Sequence, residues 1–175
     1  LIGSLLVGFS FAKAYAFGLQ VPWIGVSHLE GHLNSVFLEP DPPAFPFVAL
    51  LVSGGHTSLY QVRDHTRAEL LGQTRDDAAG AAFDKVAKML GLGEPGGVVV
   101  SALAETGDPE KIPFPRAFLD SDHFDFSFSG LKTAVNRYIQ AHPETARGQA
   151  ADIAAGFPAA VVDVTAAAVD AAAAE

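Results

Sequence analysis

Apolar positions along the chain switch repeatedly between helical and strand-like spacing. From Leu5 through Phe9, Ala12, Ala16 and Leu19 they recur every three to four residues, and the small residues among them predict a closely packed, buried helix. Gly18 loosens its end, and Pro22-Trp23-Ile24-Gly25-Val26 predicts a short buried strand. Ser27 and Glu30 have the spacing of a capping box, so a second helix starts at Ser27. The stiff polar segment Glu39-Pro40-Asp41-Pro42-Pro43 is the best lobe boundary, which makes residues 1–45 and 46–175 the expected lobes.

Beyond the boundary, Phe47 to Val52 is a near-continuous apolar strand, Ser53-Gly54-Gly55-His56 turns it, and Thr57 to Val62 returns as the second arm of a hairpin. Phe83, Val86, Ala87 and Leu90 predict an amphipathic helix that Gly91 stops. Pro95-Gly96-Gly97 reads as a loop. Phe124, Phe126 and Phe128 alternate as in a strand, and Ser129-Gly130 leads into a helix through Ala134, Val135, Tyr138 and Ile139. A last helix from about Ala151 is expected to break or restart at Gly156-Phe157-Pro158, because Pro158 has no amide proton to donate. The fold class is α/β, without an internal repeat.

Composition narrows the function classes. With 175 residues, 49% hydrophobic, the chain can bury a real core. It has no cysteine, which excludes disulfides and thiolate metal sites and fits a reduced cytoplasmic setting without a membrane. Leu1 to Phe17 has the apolarity of a signal peptide or membrane span, but lacks a basic leader and is interrupted by Gly3, Ser4, Gly8, Ser10 and Lys13. A net charge of -9 argues against a free-standing nucleic-acid binder; local basic residues gather only at Arg63 with Arg67 and Lys85 with Lys88.

Several strings could carry chemistry. His28 and His32 stand at i, i+4 on one helix, so both imidazoles can reach one metal ion, while Glu30 projects to nearly the opposite side. Two ordinary histidines near a helix start would look the same, and a metal would need a third ligand from elsewhere. The metalloprotease string requires Glu directly after the first His; Leu29 holds that place, so that peptidase mechanism lacks its base. Ser53-Gly54-Gly55-His56-Thr57 reads either as a plain hairpin turn or as a nest of amides and hydroxyls that holds phosphate oxygens. Gly96-Gly97 permits the same close approach, and Asp84 could bind a ribose hydroxyl or be solvated. Ser127, Ser129 and Lys132 cluster at a helix start that favours anions, where Ser129 also suits a simple N-cap.

Taken in order, the strings HLEGH, LVSGGHTSLY, DDAAGAAFDKVAKMLGLGEPGG and FDFSFSGLKTAV closely resemble the tRNA N6-adenosine threonylcarbamoyltransferase family, from Leu1 to about Val164. GSLLVGFSFAKAYA and IGVSHLEGHL resemble its upstream segment. The resemblance implies an actin-like, two-lobed ATPase fold, truncated at both ends. It implies transfer of a threonylcarbamoyl group from threonylcarbamoyl-AMP to N6 of the adenosine adjacent to the tRNA anticodon. By motif, His28 and His32 become ligands of one iron or zinc ion. Leu51, Val52, Ser53, Gly54 and Gly55, joined by Asp84 and Gly97, become the site for threonylcarbamoyl-AMP or ATP. The implied partners are tRNA, a paralogous scaffold subunit and a small ATPase subunit.

Departures from the family pattern are Ala81 in place of Glu, Glu94 in place of an aromatic residue, Val98 in place of proline, and Pro158 within a helix. The family's first strands, phosphate loop, closing glycine-rich segment and aspartate metal ligand have no counterpart in the chain. The 175 residues alone are therefore expected to be inactive and poorly folded. Competing readings are a metal-dependent carbamoyltransferase with another acceptor, a non-catalytic scaffold paralogue, and a sugar or acetate kinase. The intact histidine pair argues against the last two.

Overall fold

The computed structural model describes residues 2–117 and 122–174. The chain divides into two compact units, Leu1–Pro43 and Ala44–Glu175.

The first unit holds helix α1 (Ile2–Leu19), helix α2 (His28–Asn34) and a 3-10 turn (Ser35–Leu38). The helical period of α1 is realised, but its expected burial is not: Ala16 is its buried residue, and Leu6, Val7, Phe11 and Phe17 are exposed. The expected strand at Pro22–Val26 does not form. A lone strand leaves its amides unpaired, and the segment instead has no regular secondary structure and is exposed. It is tied to α1 by the Trp23 ring, which packs edge-on against Phe9 at 5.3 Å and lies 5.7 Å from the Lys13 ammonium. Ser27 caps α2 as the sequence predicts, its hydroxyl accepting from the Glu30 amide at 3.5 Å.

In the second unit, β1 (Phe47–Val52), β2 (Thr57–Asp64) and β3 (Arg67–Gln73) form an antiparallel sheet in that order. β1 and β2 are the predicted hairpin, closing on the pair Val52 and Thr57. β3 gave little strand signal: Arg67-Ala68-Glu69-Leu70 lacks β-branched and aromatic residues. It is held by the β2 ladder and by the exposed Arg63–Glu69 ion pair across it.

Four helices follow: α3 (Ala79–Met89), α4 (Gly96–Ala104), α5 (Ser129–Ala141) and α6 (Ala150–Ala173). α3 ends as predicted. Gly91 adopts φ +69°, and the amides of Gly91 and Leu92 return to the carbonyls of Lys88 and Ala87 in a Schellman closure. The expected strand at Phe124–Phe128 is reduced to one parallel bridge between Thr74 and Phe126. Phe126 and Phe128 are buried in the core, with rings stacked 6.2 Å apart.

α6 runs unbroken through Pro158, contrary to expectation. Proline removes one helical hydrogen bond at a cost of about 3 kcal/mol. Ile153, Phe157, Val161 and Val164 on this helix are buried, and each such side chain contributes roughly 1.5–3 kcal/mol. Core burial outweighs the local defect. By length and apolarity α1 and α6 could each cross a membrane, but half of the apolar stretch of α6 is buried within the protein.

Candidate functional site

The two candidate centres lie in different units. In the first, the opening turn of α2 projects His28 and His32 together, with their Nε2 atoms 3.1 Å apart and ring centroids 4.4 Å apart. Two nitrogens bound at about 2.05 Å to a tetrahedral ion are separated by roughly 3.3 Å, so this spacing suits two ligands of one metal. Neither imidazole is buried. No group of three metal-ligating side chains occurs among the described residues, so Glu30 does not join the pair.

In the second unit, the hairpin turn is ordered from within. The Ser53 hydroxyl accepts from the amides of Gly55 at 3.3 Å and His56 at 3.0 Å, and the Ser53 amide donates to the His56 carbonyl at 2.8 Å. Two nest amides thus converge on one oxygen, the arrangement that would receive a phosphate oxygen. Leu51 is buried beneath the turn, whereas Val52, Gly54 and Gly55 are exposed.

Helix α3 sets the turn's position. Its first amides, Ala79 and Gly80, donate to Thr57 Oγ1 at 2.8 Å and to the Ser53 carbonyl at 3.2 Å. A Cβ on Gly80 would stand 2.7 Å from the Ser53 oxygen and 2.8 Å from Gly54 Cα, so the contact requires glycine. One helical turn further, on the same face, Asp84 accepts from the Gly96 amide at 2.8 Å. A Cβ on Gly96 would meet the Asp84 Cα at 2.5 Å.

Pro95-Gly96-Gly97 is therefore the capped start of α4, not a loop, and Asp84 is its capping group. The run Val98-Val99-Val100 had concealed that helix, because β-branched residues depress helix propensity. Gly97 has open space where a side chain would stand. The structure thus gathers the hairpin turn, Asp84 and Gly96–Gly97 along one face of α3.

Ser127, Ser129 and Lys132 do form a cluster, but the anions they meet belong to the chain. Asp76 accepts from Ser127 Oγ at 2.6 Å and from the Phe128 and Ser129 amides at 2.9 and 3.2 Å. Asp77 lies between Lys85 and Lys132, with its oxygens 2.5 and 2.7 Å from their ammonium groups. The Lys132 hydrogen bond, followed by that of Lys85, holds the Asp77 carboxyl below the usual carboxylate range; Asp77 in turn raises Lys132. Asp76, not Ser129, caps α5. The consecutive aspartates before an alanine-rich helix were the available signal in the sequence.

Asp125 secures the neighbouring segment. Its pKa is lowered first by the Gln73 amide, at 3.0 Å, and then by Arg75, at 2.7 Å. Of the family departures, Ala81 is half-buried in the first turn of α3, while Glu94 and Val98 are exposed beside the start of α4.

Comparison with known proteins agrees with the motifs. The family model described as tRNA N6-adenosine threonylcarbamoyltransferase matches residues 1–175. Curated relatives of that name include one from Desulforapulum autotrophicum, 68% identical over 166 residues, covering 95% of this chain and 50% of that protein. Another, from Symbiobacterium thermophilum, is 57% identical over 164 residues, covering 94% of this chain and 48% of its own length. The chain thus spans about half the length of the curated relatives it matches. A model match over all of its residues shows that the chain belongs to the tRNA N6-adenosine threonylcarbamoyltransferase family.

Proposed function

We propose that this chain serves in transferring the threonylcarbamoyl group from threonylcarbamoyl-AMP to N6 of the adenosine adjacent to the anticodon in tRNA. The observation that carries the reading is the convergence of the hairpin turn, Asp84 and Gly96–Gly97 on one face of α3. These are the positions that the family motifs assign to the adenylate.

In this reading, phosphate oxygens take the place that Ser53 Oγ occupies at the Gly55 and His56 amides, and hold charge as AMP departs. The second carboxylate oxygen of Asp84 accepts from a ribose hydroxyl, and open space at Gly97 admits the nucleotide close to the backbone. Leu51 and Val52 flank it. An iron or zinc ion held by His28 and His32 would supply Lewis-acid polarisation of the carbamoyl carbonyl. The N6 amine attacks the carbamoyl carbon directly: the new C–N bond forms, the bond to the phosphate oxygen breaks, AMP leaves with that electron pair, and the proton lost by the amine passes to water.

Family membership supports an actin-like, two-lobed ATPase architecture, with the adenylate residues in the second lobe. With a net charge of -9, this stretch needs a basic tRNA surface from further residues or partners. A paralogous scaffold subunit and a small ATPase subunit fit that need, as does a cytoplasmic setting. The 175 residues alone, with two of the metal ligands, are inactive in this reading. Incubating a protein of the relatives' full length, carrying this sequence, with labelled threonylcarbamoyl-AMP and unmodified tRNA tests the proposal. Label in the tRNA supports it; label confined to free threonine and the adenylate opposes it.

A further inference from the structure

We propose that Asp76 and Asp77 are positioning residues for the adenylate site, acting through the start of α3 without touching the ligand. The inference rests on the reading of the hairpin turn as that site. Asp76 ties its turn to α5 through Ser127 Oγ and the Phe128 and Ser129 amides, and also accepts from the Asp77 amide at 2.7 Å. Asp77 closes the other side. Its carboxylate binds Lys132 on α5 and Lys85 on α3, and its carbonyl accepts from Thr74 Oγ1 at 2.6 Å.

The backbone between these anchors and the hairpin is short. Ala79 and Gly80 follow within three residues and donate directly to Thr57 and Ser53. Lys85 adjoins Asp84, so its bond to Asp77 also fixes the turn of α3 that carries the ribose acceptor. The two aspartates therefore set where the nest amides stand relative to Asp84, and that distance must match the span from phosphate to ribose. Displacing it weakens adenylate capture and leaves the transfer step itself unaltered.

Steady-state transfer kinetics in the full-length protein with its partners test this role, comparing Asp77→Asn and Asp77→Glu with wild type. The expected result is a KM for threonylcarbamoyl-AMP raised about tenfold in Asp77→Asn, with kcat within about twofold. Asp77→Glu is expected to recover most of the loss. Unchanged KM in Asp77→Asn, or a fall in kcat alone, would overturn the role. If Asp77→Asn fails to fold, Lys85→Met and Lys132→Met decide in the same assay: a raised KM in either supports the role, and wild-type KM in both overturns it. A wild type that takes up no adenylate removes the site itself, an outcome distinct from variants that behave like a binding wild type.

Discussion

The Gly80 amide donates to the Ser53 carbonyl at 3.2 Å, and the bare Cα of Gly80 lets the first turn of α3 lie directly against the hairpin. The adjacent Ala81 leaves this contact intact. Gly80→Ala would place a methyl 2.7 Å from that carbonyl oxygen, forcing helix and turn apart. Overpacking of this kind costs about 1–3 kcal/mol. A lowered melting temperature with weakened adenylate binding is expected; wild-type values for both would show that the turn does not depend on α3.

Asp84 accepts from the Gly96 amide at the start of α4, and its proposed ribose contact can be tested separately from that bond. Removing its capping bond to Gly96, as in Asp84→Ala, is expected to cost about 1 kcal/mol of stability. Asp84→Asn keeps an acceptor for that amide but loses the charge, so stability should stay near wild type while adenylate affinity falls about tenfold. Denaturant titration and calorimetric binding separate the two effects. Equal affinity in wild type and Asp84→Asn would remove Asp84 from the ligand site.

The hairpin and α3 were legible because their signals are local: a Gly-Gly turn between apolar runs, a helical apolar stripe, and a stopping glycine. α4 and β3 were not, because each depends on a distant partner. Asp84 caps α4 from another helix, and β3 gains its ladder only beside β2. The Phe124–Phe128 alternation misled because only Phe126 pairs, in a single bridge to Thr74, while the Phe126 and Phe128 rings pack into the common core. The histidine pair was visible as an i, i+4 spacing, whereas Asp76 and Asp77 showed their roles only once residues some fifty positions away came beside them.

Pro158 also separates local from tertiary control. Pro158→Ala restores a donor inside a helix that already runs unbroken through this position, so it should stabilise the protein by about 1–3 kcal/mol. A raised melting temperature without change in helix content is expected. A fall would mean that the ring's own packing at this half-buried position outweighs the missing bond.

Stability from the Asp77–Lys132 pair should be flat across neutral pH. The depressed Asp77 pKa gives a contribution fully present above about pH 4, the ordinary unfolded value, and lost as pH falls through the lower folded one. The raised Lys132 pKa gives one fully present below about pH 10.4 and lost as pH rises through the higher folded one. The melting-temperature difference between wild type and Asp77→Asn should therefore stay constant from roughly pH 5 to pH 9. A difference that vanishes within that window would contradict the pairing.

The proposed transfer to tRNA requires both the histidine pair and the adenylate site. The most direct test supplies threonylcarbamoyl-AMP and unmodified tRNA to the full-length protein with its partners, and quantifies modified adenosine by nucleoside mass spectrometry. Wild type is compared with the double variant His28→Ala, His32→Ala, and bound metal is measured in both. Modified adenosine is expected with wild type, and loss of both product and bound metal in the variant while adenylate still binds. Undiminished product in a metal-free variant, or no product from a folded wild type with metal and partners in place, would contradict it.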